Sequence, residues 1–373
     1  ARPAALTTRW PGRRGWGNLG PTRQTGPQAR LSAPPTRLSR AESQTLQRVR
    51  AAISTVGAWV PDDRLTNADL EGMVATTAEW IRSRTGIEER PILRGEGRGA
   101  SYMAIRAVDD LLGRAGLAAA AIDGLIVSTV TPDHRFPTTA SLVCGALGIA
   151  GAFAFDLNAT CSGFLYALEV GRRLVESGAY RRVVVVAAEK MSSVTDYSDR
   201  ASCILFGDAA AAVLLEPSTR LGVDDVLLGC DGDGAMNIIV RAGGSACPLT
   251  AENLADRLHY FWQDGAAVFK HAVLGMERAC QAILRRNALT CDDVTWAVAH
   301  QANLRIVTGV AQRLRIPSER VLTNVQRRGN TSSASVPLCL FDHRDSLRPG
   351  DRVLLTAFGS GYTWGSALIT WGV

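Results

Sequence analysis

The chain has 373 residues, 46% of them apolar, and a formal net charge of +6. This length suffices for two domains or one large duplicated domain, and no apolar run is long enough to cross a membrane. The positive charge is concentrated in the first 40 residues, which hold eight arginines and no acidic residue, so composition does not indicate a nucleic-acid-binding body.

The N-terminal segment 1–46 is rich in Arg, Pro, Gly and Thr and has no hydrophobic periodicity. This composition predicts a disordered extension. Its acid-free Arg/Ser content is similar to that of an organellar transit peptide, but we favour an extension without a targeting role. Eight scattered cysteines without a C-x-x-C pair favour a reducing compartment. We therefore expect a cytoplasmic protein, with an organellar location as the alternative.

From about residue 47 helix-like and strand-like segments alternate, which predicts an α/β fold. The two halves also share a layout, because segments 111–133, 147–163 and 178–190 are followed by similar segments 283–303, 314–333 and 347–359 in the same order. We predict a duplicated fold with halves 47–218 and 219–373. Equivalent strand ends of both halves should then converge on one central site.

The stretch 155–170 predicts a strand followed by a helix, with Cys161 at the junction. A helix N-terminus offers free N–H groups and the positive end of the dipole, which favour thiolate over thiol. Taken alone, such a cysteine is more often a small buried hydrophobe. Its significance depends on its neighbours.

Two further polar residues follow apolar segments of the second half. His300 closes the run VTWAVA, and Asn330 lies in the turn RRGNTSSAS. Each alone is more often structural. Together with Cys161 they form a set suited to acyl transfer, because cysteine attacks thioesters and the other two donate hydrogen bonds to an enolate or oxyanion.

The glycine-rich segment AFGSGYTWGSALITW near the C-terminus raises the alternative of a dinucleotide loop. Trp364 occupies the position of the third glycine, and a strand-like pattern follows, so we predict a tight turn at the reacting centre instead. A papain-like cysteine protease is a second alternative for a Cys/His/Asn set. Its sequence signature around the cysteine is absent, and the duplicated body does not suit that fold.

The body resembles the β-ketoacyl-acyl-carrier-protein synthase III family over residues 47–373. The resemblance is carried in order by TNADLEGMV, EWIRSRTGIEER, DLNATCSGF, DYSDRASCILFGD, AVFKHAV, HQANLRI, GNTSSASVPL and FGSGYTWGS. It implies a duplicated thiolase-like fold layered α-β-α-β-α. It also implies an acyltransferase that initiates fatty acid synthesis by decarboxylative Claisen condensation of a short acyl-CoA primer with malonyl-acyl-carrier protein. A related CoA-dependent ketide or quinolone-type synthase is the alternative.

The same resemblance implies a role for each matching residue. Cys161 would be the acylated nucleophile, with His300 and Asn330 promoting decarboxylation, and the backbone N–H groups of Cys161 and Ser360 would form the oxyanion hole. The implied peripheral residues are Trp80, Arg84, Arg200, Gly265 and Asn303 for coenzyme A, Phe136 for the partner's acyl pocket across a homodimer, and Lys270 and Arg305 for docking the acyl carrier protein. No metal, redox cofactor, nucleic acid or membrane is implied; coenzyme A thioesters are substrates.

Three positions depart from the family pattern. Ala209 and Ala211 stand where the family has glycine in F-G-D-G-A-G-A, and Ser360 replaces a glycine in the C-terminal turn. An alanine would cost roughly 1 kcal/mol wherever the backbone needs a positive φ. The serine keeps its N–H, but its added hydroxymethyl group could narrow the acyl pocket or reorient the turn.

Overall fold

The computed structural model of the chain describes residues 49–372. The predicted extension 1–46 lies outside these residues. Within the described range the strands are β1 Arg50–Trp59, β2 Arg64–Thr66, β3 Glu89–Pro91, β4 Gly124–Ser128, β5 Phe153–Leu157, β6 Val183–Glu189, β7 Ala209–Ser218, β8 Gly222–Cys230, β9 Ile238–Val240, β10 Phe261–Gln263, β11 Trp296–Ala299, β12 Arg352–Gly359 and β13 Thr363–Thr370. The α-helices there are α1 Asn67–Glu71, α2 Ala78–Thr85, α3 Ala100–Ala115, α4 Thr139–Leu147, α5 Gly163–Glu176, α6 Arg200–Cys203, α7 Ala251–Ala255, α8 Gly265–Arg286, α9 Leu304–Leu314, α10 Val325–Arg328 and α11 Ser335–Asp342.

Two mixed sheets have the same strand order. The first runs β1-β7-β6-β4-β5, and the second runs β8-β13-β12-β11. In both, the first three strands pair antiparallel and the next pair is parallel. The counterpart of β5 in the second half is a single parallel bridge from Val321 to β11. The repeated segments of the sequence therefore fold into repeated topology.

Helices cover both sheets and also separate them. Helices α5 and α11 pack between the sheets, α3 and α4 cover the outer face of the first sheet, and α8 and α9 cover the outer face of the second. All seven residues of β6 are buried, as expected for a strand with helices on both faces. This gives the layers α-β-α-β-α that the resemblance implies.

Strand β7 contains the two alanines that replace glycine. Ala209 and Ala211 lie inside this extended strand, where they pair with Glu189 and Ala187 of β6. Neither is among the residues of positive φ. The replacements therefore carry no left-handed strain.

The strands bring the predicted catalytic side chains to the centre of the molecule. Cys161 follows β5, His300 follows β11 directly, and Asn330 is held beside Phe206 by a parallel bridge. The strands of the first sheet come from residues 50–218 and those of the second from residues 222–370. The predicted boundary after residue 218 falls between them and stays a proposal.

Candidate active site

A cavity of about 320 Å³ lies where the two halves meet. Its volume is in the range typical of small-molecule sites. The side chains that line it are mostly apolar, and they surround a small polar group. The polar and small residues in the lining that sequence analysis singled out are Cys161, Gly265, His300, Asn303, Asn330 and Ser360.

Cys161 occupies a short 3-10 turn between β5 and α5. The turn is fixed on both sides, because Thr160 has a positive φ of 49° and the Ser162 hydroxyl donates to the Ala159 carbonyl at 2.8 Å. Helix α5 begins two residues after the cysteine and buries Phe164, Leu165 and Leu168 against the core. The predicted strand–helix junction is thus present, and its thiol faces the cavity.

The electrostatics of this thiol differ from the sequence-based expectation. Burial raises the pKa of Cys161 to about 12, and the negative charge of Glu189 acts in the same direction, whereas the hydrogen bond to Ser332 lowers it. A rise from 9.0 to about 12 corresponds to roughly 4 kcal/mol, and a helix N-terminus contributes at most about 2 kcal/mol. The helix N-terminus alone therefore does not make the thiolate the resting form.

His300 is buried, and its orientation is fixed by one hydrogen bond. Its backbone N–H donates to the Thr356 carbonyl at 2.8 Å, and its Nδ1 lies 2.7 Å from the Ser335 hydroxyl. Ser335 Oγ already accepts the backbone N–H of Gln301 at 3.3 Å. Among the described residues, His300 Nδ1 is the acceptor available to the Ser335 hydroxyl proton, so Nε2 carries the imidazole proton.

Burial lowers the pKa of His300 to about 3. The imidazole is therefore neutral at physiological pH and acts as a hydrogen-bond donor through Nε2. It does not present a basic nitrogen to the thiol in this tautomer.

Asn330 presents a second donor to the same cavity. Its backbone forms two hydrogen bonds, from its N–H to the Leu205 carbonyl at 2.9 Å and from Gly207 N–H to its own carbonyl at 3.1 Å. Its side-chain Oδ1 accepts the backbone N–H of Ser332 at 2.9 Å. Because the oxygen is thus occupied, the amide NH₂ is the group left to face a ligand.

The glycine-rich turn after β12 contacts the turn of Cys161 directly. The Thr160 hydroxyl donates to the Ser360 carbonyl at 3.3 Å, and the Ser360 hydroxyl donates to the Ile238 carbonyl of β9 at 2.6 Å. Ser360 therefore joins the glycine-rich turn to the two-stranded sheet β9–β10, whose residues form one wall of the cavity. The hydroxymethyl group that Ser360 adds is thus held by a hydrogen bond to Ile238.

Gly359 of this turn has no room for a side chain. A Cβ there would lie 2.1 Å from Thr160 Oγ1 and 2.8 Å from the backbone nitrogen of Cys161. We predict that Gly359→Ala displaces the turn of Cys161 and lowers the free energy of unfolding by about 1–3 kcal/mol, measured by urea denaturation. The matched control is Gly145→Ala in α4, where nothing lies within 4 Å of the new Cβ; an equal loss in both variants would contradict this steric reason.

Two exposed cations, Lys270 and Arg305, lie next to cavity-lining residues. Asn303 caps α9 by accepting the Ile306 N–H at 2.9 Å, and the adjacent Arg305 lies over Phe269, 5.6 Å from the ring centre. Gly265, at the start of α8, lines the cavity.

Six predicted site residues lie outside the cavity lining: Trp80, Arg84, Arg200, Phe136, Lys270 and Arg305. Trp80 on α2 stacks with two guanidinium groups, of Arg200 at 4.7 Å and of Arg84 at 5.9 Å from the ring centre. Helix α2 packs against α9, with Gly86 beside Leu304, so this cluster neighbours the cavity-lining end of α9. Phe136 is 85% exposed in the loop before α4.

Three residues near Cys161 and His300 were not identified from the sequence. Ser332 lies 3.6 Å from the Cys161 sulfur, Glu189 accepts a hydrogen bond from Ser332, and Ser335 orients His300. The serines belong to the quoted run GNTSSAS, where hydroxyl residues cluster, but the partners of those hydroxyls depend on tertiary structure. A glutamate ending the apolar strand VVVVAAE was the available signal for Glu189.

Two further properties concern the described residues only. No group of three or more His, Cys, Asp or Glu side chains there is arranged to hold a metal ion. None of the helices in residues 49–372 has the length and apolar character needed to cross a membrane.

Comparison with known proteins agrees with this arrangement. The model of 3-oxoacyl-[acyl-carrier-protein] synthase III matches residues 155–232, and the model of its C-terminal part matches residues 284–371. The β-ketoacyl-[acyl-carrier-protein] synthase III of Porphyromonas gingivalis is 50% identical over 327 residues, covering 87% of this chain and 98% of that protein. Synthase III 1 of Bacteroides thetaiotaomicron is 49% identical over 328 residues, covering 88% and 98%.

A solved structure shows the same fold. The β-ketoacyl-[acyl-carrier-protein] synthase III of Thermus thermophilus aligns with a TM-score of 0.80 and 41% identity, covering 86% of this chain and 99% of that one. This likeness confirms the duplicated thiolase-like fold class. The chain therefore belongs to the β-ketoacyl-acyl-carrier-protein synthase III family, the condensing acyltransferases that initiate fatty acid synthesis.

Proposed function

We propose that this protein condenses a short acyl-CoA primer with malonyl-acyl-carrier protein by a decarboxylative Claisen reaction. One observation carries the proposal: a thiol and two neutral N–H donors, Cys161, His300 and Asn330, line the same cavity. A thiol forms the acyl-enzyme, and neutral donors stabilise the enolate that decarboxylation generates. We propose no metal or redox cofactor, because neither step transfers electrons to an acceptor or needs a Lewis acid beyond these donors.

In the first half-reaction Cys161 sulfur attacks the primer thioester and coenzyme A leaves. The carbonyl oxygen becomes negative in the tetrahedral intermediate. The backbone N–H groups of Cys161 and Ser360 are proposed to stabilise that oxygen. The hydrogen bond from the Thr160 hydroxyl to the Ser360 carbonyl supports this, since it holds the two turns in contact.

In the second half-reaction the malonyl thioester loses CO₂ and its enolate attacks the acyl group on Cys161. We propose that His300 Nε2–H and the Asn330 NH₂ bind the thioester oxygen as it gains charge. The Ser335 hydroxyl and the Ser332 N–H support this role, because they occupy the other polar atom of each side chain. Preorganised donors of this kind typically contribute about 10²–10³-fold in rate each.

The coenzyme A moiety is proposed to enter over the α2–α9 face. Trp80 and Arg200 would stack on the adenine, and Arg84 would meet the phosphates, since an indole with two guanidinium groups suits a planar, negatively charged ligand. Asn303 and Gly265, which line the cavity, would border the pantetheine arm.

Lys270 and Arg305 are proposed to dock the carrier protein. They are exposed on neighbouring helices next to cavity-lining residues, where they would attract an acidic partner. The names of the relatives refer to acyl carrier protein as the substrate carrier of those enzymes.

Phe136 supports a homodimer in which this residue enters the partner's acyl pocket. Its phenyl ring is 85% exposed in the described chain, so it is available to a partner surface. We further propose halves 47–218 and 219–373 and a cytoplasmic location, with no role for nucleic acid or membranes.

The function is tested with a panel of acyl-CoA primers of increasing length and malonyl-carrier protein as acceptor, with β-ketoacyl product measured by mass spectrometry. Malonyl-CoA serves as the competing acceptor. We expect short primers and the carrier-bound malonyl group to be preferred. Product formed from malonyl-CoA but not from malonyl-carrier protein would contradict the proposed acceptor.

We predict that Ser360→Gly broadens primer length. The variant keeps the N–H of the oxyanion turn and removes the hydroxyl that holds β9 at the Ile238 carbonyl. Freed from that hydrogen bond, worth about 1 kcal/mol, the cavity wall formed by β9 can yield to a longer chain, so kcat/KM for the next longer primers should rise about 3–10-fold. Ser360→Ala removes the same hydroxyl but keeps Cβ, so it separates the loss of the hydrogen bond from the loss of the side-chain carbon. Unchanged primer preference in both variants would contradict a role for the Ser360–Ile238 hydrogen bond in primer length.

A further inference from the structure

A buried carboxyl group lies behind the nucleophile and has no role in the steps above. Glu189 ends β6, is fully buried, and forms no ion pair within the described residues. It accepts hydrogen bonds from the hydroxyls of Thr129 and Thr131 at 3.3 and 3.1 Å and from the Val130 N–H at 3.0 Å. Burial raises the pKa of Glu189, although hydrogen bonds from Ser333, Val130, Thr131 and Ser332 act in the opposite direction.

Ser332 connects this carboxyl group to the nucleophile. Its hydroxyl lies 3.1 Å from Glu189 Oε1 and 3.6 Å from the Cys161 sulfur. Because a carboxylate is only an acceptor, the serine donates its proton to Glu189, and its oxygen is then free to accept the proton of the thiol. The three groups form a directed chain from sulfur to carboxylate.

The backbone holds Ser332 in this position at some cost. Its φ is 50°, in the region that non-glycine residues seldom adopt, and its N–H is bound to Asn330 Oδ1 at 2.9 Å. Strain of this kind persists where surrounding structure enforces it and clusters at functional sites. The same turn thus orients one enolate donor and one neighbour of the thiol.

The thiol needs a proton acceptor, and His300 does not supply one. Burial raises the pKa of Cys161 to about 12, so the proton must leave as the sulfur attacks. His300 uses Nδ1 to accept from Ser335 and carries its proton on Nε2, the atom left for the cavity. Among the described residues, Glu189 is the charged group whose field reaches the thiol.

We propose that Ser332 and Glu189 form the proton relay of Cys161, an inference that rests on the proposed acyl transfer. During acylation the S–H proton moves to Ser332 Oγ while the Ser332 proton moves to Glu189. The C–S bond to the primer forms, coenzyme A leaves as its thiolate, and that thiolate takes a proton from water at the cavity mouth. After condensation the C–S bond to Cys161 breaks, and the proton held by Glu189 returns through Ser332 to the sulfur.

The test compares two adjacent serines that donate to the same oxygen. Ser332→Ala breaks the chain to the sulfur, and Ser332→Gly does so without left-handed strain. Ser333→Ala is the control, because Ser333 donates to Glu189 Oε1 at 2.7 Å and is not bonded to Cys161. Each protein is alkylated with iodoacetamide between pH 6 and 10, and modification of the Cys161 peptide is followed by mass spectrometry. Coenzyme A release from an acyl-CoA primer is measured in parallel.

We expect both Ser332 variants to alkylate and acylate Cys161 about 10²-fold more slowly at pH 7, the typical contribution of a general base. Their alkylation should keep rising through pH 9, as for an unassisted thiol, whereas the wild-type protein should level off at lower pH. Ser333→Ala keeps the relay but loses a hydrogen bond that lowers the pKa of Glu189, so it should also level off, at a pH above that of the wild-type protein. Wild-type rates and profile in both Ser332 variants would overturn the relay, as would equal losses in Ser332→Ala and Ser333→Ala. If the wild-type protein releases no coenzyme A, the proposed function fails while alkylation still decides the relay.

Discussion

Cys161→Ala is expected to abolish acyl-enzyme formation and condensation. Within residues 49–372, Cys161 supplies the one thiol that lines the cavity, so no neighbouring sulfur can take its place. Alanine keeps the 3-10 turn and the backbone N–H proposed for the oxyanion hole. The loss therefore isolates the nucleophile from the rest of the site. Acylation is measured by mass spectrometry after incubation with a short acyl-CoA and digestion.

The control for this experiment is Cys230→Ala. Cys230 is an exposed free thiol at the end of β8, hydrogen-bonded to the Gly361 carbonyl at 3.3 Å and absent from the cavity lining. If reactivity followed exposure, this residue would be labelled in preference to Cys161. Acyl groups on Cys230, or a Cys161→Ala variant that still condenses, would show that the nucleophile is misassigned.

The sequence allowed the duplicated fold to be predicted because the repeated segments encode local structure. Strand β6 and strand β12 are both apolar runs after an arginine, and the structure gives them equivalent central positions in the two sheets. The repeated pair 147–163 and 314–333 was harder to interpret. In the second half it forms only the Val321 bridge where the first half has β5, because sheet pairing there depends on neighbours that hydrophobic periodicity does not reveal.

The three central residues could be predicted from strand ends and motif resemblance, but their protonation could not. Ser335 decides which nitrogen of His300 carries a proton, and this contact joins residues 35 positions apart in the chain. The expectation of a favoured thiolate at Cys161 failed for a related reason. A helix N-terminus is visible in the sequence, whereas the burial that outweighs it arises only when both halves pack together.

Glu189 was not identified from the sequence for the same reason, because its surroundings form only when both halves pack together. A glutamate at the end of a strand is ordinarily solvated, and here the hydroxyls of residues 332 and 333, from the other half, enclose it. The carboxylate and the nucleophile therefore belong to one half, and the group that connects them belongs to the other. Sequence patterns do not reveal such a connection, because it forms only when the two halves pack together.

The second large effect, a loss of malonyl decarboxylation, is expected when either hydrogen-bond donor, His300 or Asn330, is removed. Because His300 faces the cavity with a neutral N–H, His300→Ala should lower decarboxylation of malonyl-carrier protein by about 10²–10³-fold and leave acylation of Cys161 within a few fold of the wild-type rate. Asn330→Ala should behave alike. Asn330→Asp should lose more, since a carboxylate keeps the hydrogen bond from the Ser332 N–H but repels the enolate.

These rates are measured as CO₂ release from the pre-acylated enzyme and as the burst of coenzyme A release from the free enzyme. His343→Ala is the control, because His343 bonds the Thr323 carbonyl at 3.0 Å and does not line the cavity. Loss of CO₂ release alone indicates a hydrogen-bond donor to the enolate, whereas loss of coenzyme A release indicates a base for the thiol. If His300→Ala slowed coenzyme A release as much as CO₂ release, its imidazole would be taking the thiol proton, and both the tautomer assigned from Ser335 and the donor role would be wrong.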